Sequence, residues 1–308
     1  MPLDILVPYW GDPALLQETV RSVLAQRDPE WLLTVVDDAY PDLTVRDWMA
    51  TIDDPRVRYV RKERNEGITA NYRTCVELAT QDRMVLLGSD DVLLPNYVEV
   101  VRAAHAAHPD VEIVQPGVQV VDEHGAVVRP LVDRVKGWVT PRVAGPTVLR
   151  GEALAVSLLH ADWLYWPSLA FRTDVLRSTP FHEGRPLIQD LALVIDVVAA
   201  GGGLLLDPTV CFSYRRHGSS ASSAGAGDGA RFRGEHEYFR AAAEQMAAQG
   251  WQRARRAALL HSTSRLHAVT LLPGALLRRR GQVRDLLAHA LRPGNRSGRP
   301  TTTAGDAR

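Results

Sequence analysis

Short apolar segments alternate with helical patterns through the first part of the chain, and this alternation leaves few folds open to it. The apolar segments span residues 3–7, 32–36, 57–60 and 84–87. Between them, apolar residues recur at the spacing of helices in residues 13–24, 44–52 and 67–79. Apolar runs of this length suit strands that are buried on both faces, as in parallel sheets. The sequence therefore predicts an α/β fold with a doubly wound, mainly parallel sheet flanked by helices.

The later part of the chain gives less regular signals. We expect strands at residues 112–115, 118–121, 166–171 and 210–214, and helices at residues 95–107, 151–159 and 188–199. Residues 129–146 contain several prolines and glycines and show no clear period. We interpret them as an excursion or a lid over the sheet.

Composition divides the chain into four parts. Residues 1–217 are predicted to form the α/β domain. Residues 218–234 are rich in Gly, Ser and Ala, which predicts a flexible loop. Residues 235–292 predict a basic helical extension that is interrupted at Pro273-Gly274. Residues 293–308 are polar, with Gly and Pro, and are predicted to be a disordered tail.

Charge is unevenly distributed along a chain whose net charge is zero. Residues 251–308 hold 12 arginines against two aspartates, a net charge of about +10, so the remaining residues carry about −10. Two interpretations of the basic segment remain open. It contacts an anionic lipid surface or an acidic acceptor, or it forms an arginine-rich helical face in water.

Cysteine content and hydropathy suggest where the protein works. The two cysteines are far apart and do not have zinc-binding spacing, so a reducing cytoplasm is expected. The first strand begins within a few residues of Met1, and no stretch approaches 18 uninterrupted apolar residues. We expect a cytoplasmic protein, either free or peripheral to the inner face of the membrane. A nucleic-acid partner is not expected.

Polar and acidic residues follow each of the first four predicted strands. They are Pro8-Tyr9-Trp10, Asp37-Asp38, Asn65-Glu66-Gly67 and Ser89-Asp90-Asp91. The carboxyl ends of parallel strands share one edge of the sheet, so these residues should line one crevice. An aromatic ring, carboxylates and a helix N-terminus suit a nucleotide with its phosphates, and a carboxylate beside phosphates suits a magnesium ion. The alternative is that these residues only form turns and cap the helices that follow.

Five segments together resemble glycosyltransferase family 2 in order and spacing. They are Val7-Pro8-Tyr9, Val35-Val36-Asp37-Asp38, Asn65-Glu66-Gly67-Ile68, Asn71-Tyr72-Arg73-Thr74-Cys75 and Ser89-Asp90-Asp91. The resemblance covers about residues 3–217 and implies the GT-A fold, a nucleotide-sugar-binding α/β domain with a mixed sheet.

The resemblance also implies roles for individual residues. The donor-binding set is Pro8, Tyr9, Trp10, Asp37, Asp38, Asn65, Gly67, Asn71, Ser89, Asp90 and Arg216. Within it, Pro8, Tyr9, Asp37 and Asp38 would hold the base and ribose. Asp91 would bind a divalent cation, magnesium or manganese, and Asp90 would contact the ribose or support the metal site. Gly88 stands where many members of the family have an acid.

Two later segments complete the implied active site. Asp190, which follows Gln189 at the start of a predicted helix, matches the family's general base, although Gln189 replaces the usual glutamate. In the segment 214–217, Arg216 would neutralise phosphate and His217 would bind the metal or a phosphate. The aromatic residues Trp163, Tyr165 and Trp166 either form a platform for the acceptor sugar or pack in the core.

These features predict an inverting, non-processive glycosyltransferase. Asp190 would activate an acceptor hydroxyl on a glycan, a lipid-linked molecule or a small molecule, and polysaccharide biosynthesis is the expected setting. Two alternatives remain. The first is an inactive module that binds nucleotide sugars, suggested by Gln189 and Gly88. The second is a sugar nucleotidyltransferase, which would need a Gly-rich, Arg-bearing loop that residues 8–13 lack.

Overall fold

The computed structural model describes residues 1–182, 188–217, 229–261 and 265 of the 308-residue chain. The strands are β1 Leu3–Tyr9, β2 Trp31–Asp37, β3 Val57–Arg61, β4 Arg83–Leu86, β5 Val92–Leu93, β6 Ile113–Val121, β7 Thr147–Arg150, β8 Ala170–Arg172 and β9 Gly203–Arg215. The helices are α1 Pro13–Leu24, α2 Thr44–Met49, α3 Ile68–Leu78, α4 Tyr97–Ala107, α5 Leu131–Val139, α6 Gly151–His160, α7 Thr173–Ser178, α8 Gln189–Ala199, α9 Gly229–Ala248 and α10 Gln252–Leu260. A 3-10 helix spans Trp166–Ser168.

The N-terminal half forms the parallel part of the sheet. Strands β3, β2, β1 and β4 are neighbours in that order, and every pair among them is parallel. Their carboxyl ends therefore lie at one edge, which confirms the predicted convergence of the segments that follow them. The first crossover is capped as its sequence predicts, because the Asp12 carboxylate accepts a hydrogen bond from Ala14 N at 2.8 Å and Pro13 begins α1.

The C-terminal half makes the sheet mixed. Strand β4 is followed in space by β8, β6, β9 and β5, and β7 pairs with β9. Strands β6 and β9 are parallel, whereas β8 is antiparallel to β4 and β6. The predicted fold class, a mainly parallel mixed sheet flanked by helices, is confirmed.

The core has two layers because the sheet is covered on both faces. Along β4 and the residue after it, Met84 and Leu86 pack into one apolar layer with α6 and α8. Val85 and Leu87 pack into the opposite layer with α1 and α4. Successive strand side chains point to opposite faces, so a continuous apolar run is needed to fill both layers. Each fully buried side chain of this kind contributes about 1.5–3 kcal/mol.

Two predictions for the second half were wrong in detail. Residues 129–146 contain helix α5, which the prolines and glycines on either side concealed. Residues 112–115 and 118–121 belong to one strand, β6, with an irregularity at Gly117. A Cβ at Gly117 would lie 2.7 Å from Pro208 O, so only glycine permits this close approach.

Two other strands differ from prediction at their starts. The segment 166–171 begins as the 3-10 helix, and β8 starts at Ala170. Strand β9 begins at Gly203, directly after the glycines that end α8, and runs through to Arg215. Pairing with both β6 and β7 supports this longer strand. Its partners are distant in sequence, so local patterns give no sign of them.

The C-terminal helices pack on the same apolar layer as α6 and α8. Side chains of α9 and α10, including Phe239, Met246 and Ala257, are buried there. Helix α9 begins at Gly229, inside the stretch predicted as a loop, and residues 249–251 separate it from α10. The predicted interruption at Pro273-Gly274 and the predicted tail at 293–308 lie outside the described residues. Within the described part of the chain, no helix is long and apolar enough to cross a membrane.

Candidate active site

Asp91, after strand β4, is a buried structural acid. It is 1% exposed, and its Oδ1 accepts a hydrogen bond from the backbone N of Arg215 at 2.8 Å. Its backbone oxygen accepts from Thr19 Oγ1 at 2.7 Å. Burial raises the pKa of Asp91, and the charge of Asp90 raises it further, while Arg215 opposes the shift. Asp91 therefore ties the end of β9 to the end of β4 and to α1.

Asp90 is the acid that reaches the open edge of the sheet. Its side chain is 31% exposed, and its Oδ2 lies 2.7 Å from Nε2 of His217, the second residue after β9. The sequence-based assignment chose Asp91 for the metal, and Asp90 for contact with the ribose or for support of the metal site. The geometry favours Asp90 for the metal, because the carboxylate of Asp91 is enclosed by protein. Ser89, beside this pair, is half-buried.

The Asp90–His217 pair fits a cation that is shared with a diphosphate. Within the described residues, no group of three or more His, Cys, Asp or Glu side chains could hold a metal ion. Magnesium in phosphate-binding sites usually takes one or two carboxylates and fills its other positions with phosphate oxygens and water. The pair could supply such a partial set of ligands, and manganese accepts the same donors.

Gly88 is required by the packing of these two acids. A Cβ at this position would lie 2.4 Å from Asp91 Oδ2 and 3.1 Å from Asp90 Oδ1. An aspartate, found here in many relatives of the resembled family, would collide with the carboxylate of Asp91 as it now stands. The departure from the common motif therefore goes together with the buried position of Asp91.

Substitution of Gly88 tests this packing. Gly88→Ala is expected to lower the free energy of unfolding by about 1–3 kcal/mol, the usual cost of overpacking. Gly137→Ala is the control, because Gly137 lies in α5 with open space around it and should gain roughly 0.5–1 kcal/mol from the better helix former. Denaturant unfolding measures both, and equal stability of the two variants would contradict the packing.

Asp37 and Asp38, at the end of β2, are buried and bonded within the protein. Asp37 accepts from Tyr40 N at 2.7 Å, pairs with Arg61 at 2.5 Å and also binds the Tyr59 hydroxyl. Asp38 accepts from Gly67 N at 2.8 Å and pairs with Lys62 at 3.2 Å. Both acids hold neighbouring loops in place, as the alternative interpretation of turns and caps proposed. Direct contact of either with a base or ribose stays a prediction.

The aromatic residues after β1 divide into a buried ring and an exposed one. Tyr9 is fully buried, and its hydroxyl donates to Gly11 O at 2.9 Å, so its ring faces cannot stack on a base. Trp10 is 48% exposed and meets the edge of Tyr40, with ring centroids 5.1 Å apart. Pro8 is buried within β1. Trp10 and the half-buried Tyr40 are therefore the aromatic groups that can reach a base.

The segment before α3 lies at the sheet edge, near the carboxyl end of β2. Gly67, at φ 86°, precedes the helix, and its N–H also lies 3.1 Å from the Asn65 side-chain oxygen. Positive φ at this position suits glycine. Asn71 is buried and donates from Nδ2 to Val36 O at 2.9 Å, so it fastens α3 to β2. The first turn of α3, which starts at Ile68 without a side-chain cap, faces this edge and suits phosphate.

Asp190 lies in the first turn of α8 with a raised pKa. Burial raises the pKa of its carboxyl to about 7, and the charge of Asp162 adds to the shift, while Lys136 opposes it. The preceding Gln189 is buried, and its Oε1 accepts from Thr69 Oγ1 at 3.0 Å. This bond fixes the start of α8 against the start of α3.

Tyr72 is a buried side chain whose ionisation is influenced by both Asp190 and Asp90. Burial raises the pKa of the Tyr72 hydroxyl, and the negative charges of Asp190 and Asp90 both add to it. The two carboxylates therefore lie close enough to one side chain to act on its ionisation. Asp190 and Asp90 thus act on a common neighbour, and Asp190 is a group that can accept a proton near neutral pH.

The remaining predicted residues occupy other places. Arg216 binds Asp133 through two hydrogen bonds, of 2.5 and 2.8 Å, so its charge is already neutralised. Trp163 and Trp166 are buried in the core, which agrees with the second of the two interpretations left open by the sequence. Tyr165 is half-buried and donates to Asp133 at 3.0 Å.

Several residues around the site were missed by the sequence reasoning. They are Tyr40, Tyr72, Lys136, Asp162 and Arg215. Arg215 is buried, and besides the contact with Asp91 it donates to Asp90 O at 2.8 Å and pairs with Glu18 at 2.5 Å. An aromatic residue two positions after Asp38 gives a usable signal for Tyr40. The others depend on contacts between distant segments and have no local signal.

Comparison with known proteins confirms the resemblance to a family. Residues 4–139 match the family model described as glycosyl transferase family 2. The succinoglycan biosynthesis protein ExoO of Rhizobium meliloti is 25% identical over 219 residues, which cover 70% of this chain and 62% of ExoO. EpsE of Bacillus subtilis, provisionally named a glycosyltransferase, is 30% identical over 159 residues, covering 49% of this chain and 57% of EpsE. The chain thus spans less than two thirds of each relative.

Solved structures confirm the fold. Residues 1–349 of S. aureus TarS, crystallised with UDP-GlcNAc, superpose with a TM-score of 0.65 at 12% identity, covering 94% of this chain and 82% of that one. The same region crystallised with UDP gives a TM-score of 0.63 at 13% identity and covers 94% of this chain and 81% of that one. At such identity the likeness establishes a shared GT-A fold and leaves the ligands of this chain to be argued from its own residues.

Proposed function

We propose that this chain, whose residues 4–139 match the glycosyl transferase family 2 model, transfers a sugar from a nucleoside-diphosphate sugar to an acceptor hydroxyl with inversion at the anomeric carbon. The observation that carries the proposal is Asp190, whose pKa is raised by burial to about 7 and whose charge acts on the same tyrosine, Tyr72, as that of Asp90 in the strand-end pair Asp90–His217. A proton acceptor and a diphosphate-binding pair at one sheet edge are the two groups that this reaction needs.

In this proposal the donor binds along the edge formed by the carboxyl ends of the parallel strands. Trp10 and Tyr40 provide aromatic surface for the base beyond β1 and β2. The diphosphate lies between the start of α3 and the Asp90–His217 pair. The TarS structures contain UDP-GlcNAc and UDP, which supports a nucleotide sugar as the ligand of the same fold here.

Asp190 acts as the general base. Its ionised carboxylate takes the proton of the acceptor hydroxyl, and the hydroxyl oxygen bonds to the anomeric carbon. The bond from that carbon to the diphosphate oxygen breaks, and the electron pair leaves with the nucleoside diphosphate. A pKa of about 7 balances the ionised fraction near neutral pH against the strength of the base.

The charge of the leaving diphosphate requires a counter-charge at the Asp90–His217 pair. We propose that these two side chains hold a divalent cation, magnesium or manganese. When bound, the cation would neutralise negative charge on the phosphate oxygens. His217 reaches Asp90 directly, whereas Arg216 is already paired with Asp133, so His217 is the better placed of the two.

The rival proposal of an inactive binding module loses part of its basis. It rested on Gln189 replacing a glutamate and on Gly88 replacing an acid. Gln189 is buried and bonded to Thr69, so the replacement occurs at a position that supports α8. Gly88 is set by packing against Asp91. Neither substitution removes Asp190 or Asp90.

The pH dependence of transfer follows from Asp190. Its carboxyl must be ionised to accept a proton, so protonation below pH 7 removes activity. We expect kcat/KM to rise with pH, to reach half of its maximum near pH 7 and to level off above it. Initial rates between pH 5 and pH 9 at saturating metal measure this rise of kcat/KM with pH. A profile that is flat between pH 5 and pH 8 would contradict the assignment.

A thermal-shift screen tests donor binding. Nucleotide sugars with different bases and sugars, each with magnesium or manganese, are added to the full chain. A donor that binds the folded state raises the Tm, by an amount that corresponds to about 2.7 kcal/mol at a hundredfold excess over the Kd. We expect such a shift for at least one nucleotide sugar and its loss with chelator. No shift across the panel would overturn the proposed function.

A further inference from the structure

Helix α5 presents an apolar face to solvent. Leu131 is 66% exposed, Val132 44%, Trp138 64% and Val139 36%. At 3.6 residues per turn, these four residues fall on one side of the helix. Val127, 62% exposed, lies just before it. Contiguous exposed apolar side chains rimmed by polar residues mark contact surfaces more often than isolated ones do.

The opposite side of α5 packs on the body through polar groups. Asp133 is 8% exposed and is held by Arg216 and the Tyr165 hydroxyl. Lys136 donates from Nζ to Leu164 O at 2.7 Å. Helices of globular proteins normally bury their apolar face and expose their charges, whereas α5 buries Asp133 and exposes Leu131 and Trp138. Because rolling the helix would leave Asp133 and Arg216 without partners, these bonds keep Trp138 on the outside.

Exposed arginines occur on α5 and in the segments directly before and after it. Arg129, Arg134 and Arg142 are exposed, and none of them has an acidic partner among the described residues. Arg134 lies over the ring of Trp138, 5.6 Å from its centroid. Aromatic and aliphatic side chains rimmed by arginine are the pattern of helices that lie in the interface of an anionic bilayer.

We propose that the α5 face, formed by Leu131, Val132, Trp138 and Val139 with Arg129, Arg134 and Arg142, docks on the surface of an anionic lipid bilayer. The apolar side chains enter the boundary between headgroups and acyl chains, and the arginines bind lipid phosphates. A second copy of the chain is a poorer occupant, because a two-fold contact through this face would bring two sets of like-charged arginines together.

The α5 face adjoins the candidate active site. Asp133 on α5 holds Arg216, and the next residue, His217, reaches Asp90. Docking through α5 therefore places the sheet edge close to the bilayer. This consequence rests on the proposed function, and it implies an acceptor that is attached to lipid or held at the membrane surface. The docking itself does not depend on catalysis.

Vesicle co-sedimentation of the full chain tests the proposal without any nucleotide sugar. We expect binding to vesicles that contain phosphatidylglycerol, weak binding to pure phosphatidylcholine, and loss of binding as ionic strength rises. The double variant Leu131→Ser/Trp138→Ser should bind anionic vesicles at least about tenfold more weakly, and Arg134→Glu/Arg142→Glu should do the same. Unchanged circular dichroism and Tm would show that these variants fold.

Matched control variants test whether vesicle binding depends on α5 and not on other exposed residues. Val210→Ser removes an exposed apolar side chain and Arg58→Glu an exposed arginine, both away from α5, and each should bind like the wild type. If the α5 variants bind as strongly as the wild type while truncation of residues 266–308 abolishes binding, the basic C-terminal segment is the lipid contact and the proposal is overturned. A concentration-dependent dimer that Trp138→Ser abolishes would also overturn it.

Discussion

Asp190→Asn is expected to lower the rate of sugar transfer by about 10²–10⁴-fold while donor affinity stays within a few-fold of the wild type. The amide keeps the size of the side chain but cannot take a proton from the acceptor hydroxyl. In the proposed function, donor binding depends on other residues, namely Trp10, Tyr40 and the Asp90–His217 pair. Initial rates and isothermal titration with the same donor measure the two quantities separately.

The same variant should be more stable than the wild type at alkaline pH. The folded state raises the pKa of Asp190 from 3.8 to about 7, so the fold favours the neutral carboxyl. The wild type therefore loses stability as pH rises from about 4 through 7, and asparagine does not titrate. At pH 8 the gain has an upper limit of about 4 kcal/mol, from about 1.4 kcal/mol per pKa unit. Below pH 4 the difference should vanish, and thermal unfolding at both values measures it.

Asp162→Asn is the matched control for this pair of effects. Asp162 is exposed, and its charge helps to raise the pKa of Asp190. The variant keeps an oxygen to accept from Leu164 N, so folding should be unaffected. It should retain full turnover at pH 8, and the pH at which kcat/KM reaches half of its maximum should be lower than in the wild type. Near-normal turnover of Asp190→Asn, or the same loss in Asp162→Asn, would refute the assignment of the base.

The second large effect is expected from Asp90→Asn. If Asp90 holds the metal and the diphosphate, this variant should bind the donor with metal more than about 100-fold more weakly. Loss of a direct ligand should exceed the 10–100-fold that loss of an outer supporting group costs. The weak binding that remains without metal should be unchanged. Isothermal titration with and without chelator measures both values.

Asp91→Asn separates the two adjacent acids. The substituted amide would retain an oxygen to accept from Arg215 N, and it would replace a buried carboxylate whose pKa is raised by desolvation. We expect the donor affinity of this variant to stay within a few-fold of the wild type. The opposite pattern, with binding lost in Asp91→Asn and kept in Asp90→Asn, would restore the assignment made from the sequence.

The sequence predicted the parallel half of the fold because that half is specified locally. Each of the first four strands is a short, mainly apolar segment, and each crossover contains a helix with apolar residues at helical spacing. The mixed half depends on pairings between distant segments, such as β6 with β9 and β4 with β8. A helix such as α5, whose polar face packs inward, does not match the pattern that identifies ordinary amphipathic helices.

The sequence predicted where the candidate site lies but not the role of each residue within it. Spacing placed Asp90 and Asp91 at the correct edge, yet it could not tell which carboxylate is enclosed by Arg215 and Gly88. From sequence, the aromatic residues Trp163 and Trp166 suit either a sugar-binding platform or the core. Both are buried, so they belong to the core. The perturbed pKa of Asp190 depends on Asp162 and Lys136, which are separated from it in sequence and are brought together only by the fold.

We propose that this chain turns over a nucleotide sugar at the Asp90–His217 edge with Asp190 as base. The most direct measurement is release of nucleoside diphosphate from the donor found by thermal shift, followed in wild type and Asp190→Asn at pH 8 with metal. We predict metal-dependent release by the wild type, slow with water and faster with an acceptor, and a loss of about 10²–10⁴-fold in the variant. Tight donor binding by the wild type with no release under any of these conditions would contradict the claim and identify a binding module instead.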